Sequence, residues 1–230
     1  MKGLQLFDYH IFYYLAALAL ILPRIPYIGK FFNIINTLIH EIGHALMALI
    51  TSGEVLKVQV FFDTSGLTTT KSNAGFKRFL VSIAGYPFAS AMAFVGFLLL
   101  SYGYEKWIVL GLSVLFLFTL IFWIRDNTYG IVWVIIFVAI NAFIVFYLKN
   151  ETVVEVAAWF YCVMMLLESV VSSLDLFRIA IRTPQSAGDA TNLKKLTHIP
   201  SIIWAIIFVA FAGFMAYRSL LEVWPIIAFD

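Results

Sequence analysis

The pentapeptide His40-Glu41-Ile42-Gly43-His44 contains the residues of this chain whose types and spacing are best suited to chemistry. If the segment is helical, His40 and His44 are four residues apart and project from one face, so both neutral imidazoles can bind one metal ion. A glutamate between such ligands can take a proton from a metal-bound water and later deliver it to a leaving amine. The pattern predicts a zinc (Zn2+) site with Glu41 as its general base.

The surroundings of this motif are apolar. The flanking sequence reads FFNIINTLIHEIGHALMALIT, which is typical of a membrane span. Glu41 lies near the centre of the run, about ten residues from either end, so its side chain cannot easily extend to water. Because ionisable groups are costly in hydrocarbon, we favour a functional site over the alternative of two interfacial histidines and one surface glutamate.

The composition indicates a polytopic membrane protein with the lipid bilayer as a partner. Hydrophobic residues make up 63% of the chain and charged residues 12%, whereas soluble domains have about 45–50% and about 25%. No basic tract suggests nucleic acid as a partner. The single cysteine, Cys162, rules out an intrachain disulfide and lies in an apolar run.

The apolar runs predict the architecture. A helix needs about 20 apolar residues to cross a bilayer, and seven runs come near this length. We therefore predict an all-α polytopic fold of about seven transmembrane helices in a single domain, residues 1–230. About twice as many Lys and Arg residues fall on the side of the N-terminus as on the other side, which predicts a cytoplasmic N-terminus. The runs are residues 9–22, 31–51 (the motif helix), 79–101, 106–124, 129–148, 153–177 (extendable to about 181) and 200–221.

Two connecting segments are distinctive, and both are expected on the cytoplasmic side. Residues 53–70 are rich in β-branched and aromatic residues and contain the turn signal Ser65-Gly66, which predicts a short membrane-associated β-hairpin. Residues 182–199 form a polar loop that ends in an amphipathic turn before Pro200 begins the last span.

A third metal ligand must come from outside the motif, because a catalytic zinc normally has three protein ligands and one water. Asp175 is the leading candidate. If its helix runs to Ile181, Asp175 lies about 10 Å from the cytoplasmic end, a depth similar to that of His44. The alternative is a helix-end aspartate paired with Arg178 or Arg182.

Two other aspartates compete with Asp175 for this position. Asp189, in SAGDATNLKKL, would need a re-entrant loop to reach the metal, and its alternative role is to cap the helix that follows. Asp126 is the third candidate, for which a solvated pair with Arg125 is the alternative.

Three further features could serve such a site. Asn127 is predicted as a catalytic residue, because a buried amide can stabilise the oxyanion of a scissile carbonyl, although a plain inter-helix turn is the alternative. Glu168 could orient a ligand or belong to a packing network. Gly85-Tyr86-Pro87 begins a small-residue face that favours close helix packing.

Taken in order, these segments resemble the bacterial, peptidase-M50B-like branch of the site-2 protease family of intramembrane zinc metallopeptidases. They are HEIGHALMALITSGEV, VFFDTSGLTTT, AGYP, IRDNTYG and SAGDATNLKKLTHIPSIIW, and the resemblance covers about residues 31–215. It implies a multi-pass protein of the bacterial inner membrane that acts on transmembrane or membrane-tethered protein substrates. The chain lacks the family's Asn-Pro…Asp-Gly string, but Gly188-Asp189-Ala190 partly matches a Ser-Asp-Ala element of the branch. The resemblance therefore strengthens the case for Asp189 as the third ligand relative to Asp175, and both residues are predicted metal ligands.

Two functions compete at this point. The leading hypothesis is an intramembrane zinc metalloprotease whose hairpin binds an unwound substrate segment by strand addition. The alternative is a non-proteolytic membrane protein of the same fold with a structural, sensing or transport metal site. A transporter would need a polar path across the bilayer, and the sequence offers none in the outer half beyond the cluster near Glu41, Glu168 and Asp175.

Overall fold

A computed structural model describes residues 9–22, 25–71 and 75–227, and shows a mostly helical chain with one small hairpin. The hairpin lies between the second and third helices, and the fifth helix continues as a π-helical segment, Phe143–Leu148. The elements are α1 (Tyr9–Ile21), α2 (Ile28–Ile50), β1 (Glu54–Val60), β2 (Gly66–Lys71), α3 (Phe76–Ser101), α4 (Glu105–Phe122), α5 (Thr128–Ala142), α6 (Glu151–Arg182), α7 (Gly188–Thr197) and α8 (Ser201–Ile227).

Five helical segments of the described chain are long and apolar enough to cross a membrane, so the predicted count of seven spans is not confirmed. Each predicted run does lie on a helix, but the described part of α1 has 13 residues. At 1.5 Å per residue it reaches about 20 Å, short of the roughly 30 Å hydrocarbon core. The motif helix α2 carries several polar side chains and is not one of the five. The five candidate spans are Phe76–Ser101, Glu105–Phe122, Thr128–Leu148, Glu151–Arg182 and Ser201–Trp224.

The motif helix α2 lies at the centre of the packing and contacts α3, α6 and both strands. One side of it is apolar and almost fully buried, whereas the other carries the polar residues of the motif. Its contact with α3 is close, since a Cβ at Gly43 would lie 2.7 Å from the Cβ of Phe88. The buried apolar residues of this side are Ile34, Ile35, Leu38, Ile39 and Ile42.

The predicted hairpin at 53–70 is confirmed as an antiparallel pair of strands, with Val58 opposite Thr68 and Val60 opposite Gly66. The outer edge of β1 is covered by the segment that joins α4 to α5. There the Val58 N–H donates to the Trp123 carbonyl at 2.8 Å. The other strand, β2, contacts the motif helix, as β1 does.

The polar segment 182–199 contains a short helix, α7, that packs against α3, α6 and α8. Leu193 is buried in a small apolar cluster with Trp204 and Phe208 of α8. The turn before α7 is fixed by Thr191, whose hydroxyl donates to the Pro184 carbonyl at 2.9 Å. These contacts hold the first turn of α7 beside α2, as the re-entrant path considered for Asp189 requires.

Candidate metal centre

Three ligand atoms from α2 and α7 converge on one point. The Nε2 atoms of His40 and His44 lie 3.1 Å apart, and Asp189 Oδ2 lies 3.2 and 3.1 Å from them, respectively. Ligands bound at about 2.0–2.2 Å to a tetrahedral zinc ion are roughly 3.3–3.6 Å apart, so the observed spacing is slightly below that of a filled site. The three residues could hold a metal ion.

The orientation of His44 supports this interpretation. Its Nδ1 lies 2.7 Å from the carbonyl oxygen of Val81. A carbonyl only accepts, so Nδ1 carries the proton and donates it, and the neutral ring then presents a lone pair at Nε2. Metal-binding histidines commonly make such a contact with their second nitrogen. The lone pair faces the carboxylate of Asp189, and a cation between them satisfies both groups.

A glycine on α3 allows this helix to approach the two histidines. A Cβ at Gly85 would lie 2.5 Å from His40 Nε2 and 2.6 Å from His44 Nε2, closer than real Cβ contacts allow. The next residue, Tyr86, packs edge-on against the His40 ring with 4.5 Å between ring centroids. The close helix packing predicted for Gly85-Tyr86-Pro87 therefore takes place at the site itself.

Glu41 is buried beneath the hairpin, with 6% of its surface exposed. A Cβ at Gly66 would lie 2.5 Å from Glu41 Oε1, so β2 rests directly on this carboxylate. Two hydrogen bonds fix the hairpin there: Thr68 Oγ1 donates to the Glu41 carbonyl at 3.0 Å, and Thr37 Oγ1 to the Thr64 carbonyl at 2.8 Å. Glu41 and the three candidate ligands line one cavity of about 900 Å³.

Asp189 lies in the first turn of α7, two residues after the N-cap residue Ala187, and does not itself occupy the capping position. Burial favours the neutral acid, but the imidazoles of His44 and His40, when they are protonated, outweigh it and hold the pKa of Asp189 well below its usual range. Asp189 thus stays a carboxylate, the form in which it binds a metal. Of the predicted ligands, the structure brings His40, His44 and Asp189 together.

Asp175 and Asp126 are placed elsewhere. The Asp175 side chain is 54% exposed and forms an ion pair with Arg178 at 2.6 Å, the alternative considered from the sequence. The position of Asp175 along α6 follows from the helical run, but the direction in which its side chain points does not. Asp126 precedes α5, and its carbonyl accepts a hydrogen bond from Gln59 Nε2 at 3.1 Å. The structure therefore favours Asp189 over both as the third ligand.

Asn127, the predicted oxyanion donor, has its side-chain amide paired with the backbone of β1. Its Nδ2 donates to the Val60 carbonyl at 3.0 Å, and its Oδ1 accepts from the Val60 N–H at 3.1 Å. The same oxygen accepts from the Gly130 N–H and so caps α5. Asn127 continues the sheet beyond β1 and anchors the hairpin, and its amide is directed at β1.

Sequence reasoning missed the residues that orient the motif. Thr37 lies on the same side of α2 as Glu41, four residues earlier, so helical spacing from the motif could have identified it. Thr68 could not be paired with Glu41 before the register of the hairpin was known. Val81 acts through its backbone carbonyl, for which a sequence carries no signal.

The fold and this cluster define a class: a multi-pass membrane protein with a partly buried His-His-Asp group at the junction of α2, α3, α7 and the hairpin. The chain belongs to the peptidase M50B-like family, whose model matches residues 11–219. This match confirms the predicted resemblance and implies a metallopeptidase of a generally zinc-dependent family. No curated protein matches the chain. The solved structures also include no match.

Proposed function

We propose that this chain is an intramembrane zinc metalloprotease that hydrolyses peptide bonds of transmembrane or membrane-tethered proteins. The observation that carries the proposal is the convergence of His40, His44 and Asp189 within one cavity that also contains Glu41. When bound, zinc would polarise the scissile carbonyl and make its bound water acidic. We place the chain in the bacterial inner membrane as a single catalytic domain.

The chain's own residues divide the remaining work. His40, His44 and Asp189 would hold the metal, and Val81 would keep His44 in the tautomer that leaves Nε2 free to bind. Glu41 would accept the proton of the attacking water and pass it to the leaving amine nitrogen. Its burial against β2 restricts the carboxylate to the cavity.

The edge of β2 would bind the substrate. The Val58 and Val60 backbones form hydrogen bonds away from β2, to Trp123 and to Asn127. In an antiparallel pair, opposite residues direct their backbone groups either both inward or both outward. The partners of these valines in β2 are Thr68 and Gly66, so their N–H and C=O groups also point outward, toward the cavity that they line.

Strand addition follows from this arrangement. A helical peptide bond is shielded because its polar groups are already paired within the helix, so a substrate must unwind before attack. An unwound segment that pairs with β2 has its backbone groups satisfied and is held beside Glu41. The hairpin thus compensates for the hydrogen bonds that the substrate loses on unwinding.

The test uses purified chain in detergent, its zinc content by mass spectrometry, and a fluorescein-labelled transmembrane peptide with a central Asn-Gly-Pro helix break. We expect about one zinc per chain and cleavage by the wild type. Glu41→Gln should keep the zinc and lose at least about a thousandfold in cleavage rate, since it removes the proton acceptor. Glu151→Gln, at an exposed glutamate that begins α6, is the matched control and should cleave normally.

Two results would contradict the proposal. Cleavage by Glu41→Gln at the wild-type rate would exclude Glu41 as the base. A zinc-loaded wild type that leaves the peptide intact, together with unfolding of His40→Ala, would favour the alternative of a structural metal.

A further inference from the structure

The motif helix carries a polar residue that the proposed chemistry does not use. Asn36 lies one turn before His40, and only 7% of its surface is exposed. Its side chain lines the catalytic cavity and a neighbouring cavity of about 600 Å³. Among the described residues, its amide oxygen has no hydrogen-bond partner. A buried amide left unpaired costs stability, so this residue is a candidate for binding a ligand.

The position of Asn36 is opposite the hairpin. At 100° per residue, Thr37 and Glu41 lie on one flank of the polar face of α2, and Asn36 lies on the other, with His40 between them. The hairpin contacts the first flank through Thr64, Gly66 and Thr68. The second cavity lies between the two flanks, because Asn36 and Ser172 of α6 line it together with Thr37 and Thr64.

The hairpin and the asparagine therefore enclose the space in which an extended peptide would lie. Thr37 meets Thr64 whereas Glu41 meets Thr68, so β2 advances along α2 in the direction of the chain. A strand paired with β2 would run along the same line and pass Asn36. A side-chain amide has one acceptor and a donor group, which match the N–H and C=O of a peptide group, and rotation about χ2 exchanges their positions.

We propose that Asn36 binds a backbone peptide group of the unwound substrate, on the flank opposite β2. The four residues from Asn36 to His40 span about 6 Å along the helix, which corresponds to about two residues of an extended strand at 3.3 Å each. The contacted peptide group is thus about two residues from the scissile bond. This inference rests on the proposed protease function. It makes Asn36 a positioning residue that contacts the substrate main chain and does not select for particular side chains.

The test compares Asn36→Leu with wild type on the same fluorescein-labelled peptide. Loss of one hydrogen bond to a neutral peptide group should raise KM about three- to tenfold, with kcat within about twofold and zinc content unchanged. Leucine has nearly the same shape and removes a buried amide oxygen that has no partner among the described residues, so the thermal midpoint of the variant should rise. A residue that only supports the fold would give the opposite change in thermal midpoint.

Asn141→Leu is the matched control. Asn141 is fully buried in the α4–α6 region, where both of its amide atoms form hydrogen bonds. This control should lower the thermal midpoint and leave KM unchanged. Asn36→Gln, which retains an amide, should recover part of the wild-type KM.

The other outcomes distinguish failure of the role proposed for Asn36 from failure of the proposed protease function. An unchanged KM in Asn36→Leu, with active wild type, would overturn the role of Asn36 but leave the proposed function standing. A lower thermal midpoint with an unchanged KM would identify Asn36 as structural. If the zinc-loaded wild type cleaves no peptide, the proposed function fails and this inference fails with it.

Discussion

Two buried polar regions of this chain are built in contrasting ways. In the first, between α4, α5 and α6, Asn141 Nδ2 donates to Ser113 Oγ at 3.0 Å and Tyr161 Oη donates to Asn141 Oδ1 at 2.7 Å. In the second, around α2, the histidine nitrogens and a carboxylate converge, and Asn36 Oδ1 has no partner in the described residues.

The contrast separates structure from function. Buried polar groups in membranes are normally satisfied by one another, and the first region meets this rule by joining three spanning helices. In the second region, two imidazole nitrogens and a carboxylate face one another, and the Asn36 amide oxygen has no partner among the described residues. This arrangement is costly unless a cation binds the first group and a ligand binds the second. Substitutions in the two regions should accordingly affect different measurements.

The largest expected effect is at Asp189. Asp189→Ala removes one of three convergent ligand atoms, so we expect zinc affinity to fall by at least about a hundredfold. Asp175→Ala is the matched comparison, because that carboxylate is paired with Arg178 and exposed. It should bind zinc like the wild type. Zinc content after dialysis against graded chelator measures both, and the reverse ranking would restore Asp175 as the ligand.

The fold was accessible from the sequence where local pattern decides structure. Each of the seven predicted apolar runs lies on a helix. The β-branched content and the Ser-Gly turn located the hairpin. Which runs cross the bilayer was less accessible. The described part of α1 is short, and α2 combines apolar and polar residues. Length and composition alone therefore do not decide whether either helix crosses the bilayer.

The site was accessible only in part. His40, Glu41 and His44 follow from helical spacing, because one helix fixes their relative positions. Asp189 is distant in sequence, and its approach depends on how α7 packs against α3 and α8, which no local pattern encodes. The role of Asn127 depended on the hairpin lying against it. Residues joined by tertiary packing therefore needed the structure.

A smaller effect is expected where α3 meets the histidines. Gly85→Ala places a methyl group 2.5 Å from His40 Nε2 and 2.6 Å from His44 Nε2, so the rings or the helix must shift. Such overpacking typically costs about 1–3 kcal/mol, which corresponds to roughly 5- to 150-fold in zinc affinity if the cost falls on the metal-bound arrangement. Gly111→Ala in α4 is the control, since its added Cβ would meet nothing within 4 Å. Chelator competition should separate the two variants, and equal zinc affinity would show that Gly85 is not needed for the approach.

The smallest expected effect is in the first region, where Ser113, Asn141 and Tyr161 are hydrogen-bonded to one another. Tyr161→Phe removes the hydroxyl that donates to Asn141 Oδ1 and leaves this buried oxygen unpaired. Hydrogen bonds between membrane helices are worth about 0.6–2 kcal/mol, so the thermal midpoint in detergent should fall modestly. Zinc content and cleavage should match the wild type, because the hydrogen bonds of Asn141 within the described residues join Ser113 and Tyr161, neither of which lines the cavity around α2. A loss of zinc in Tyr161→Phe without loss of folding would mean that the two regions are coupled, and the division between a structural and a functional polar region would fail.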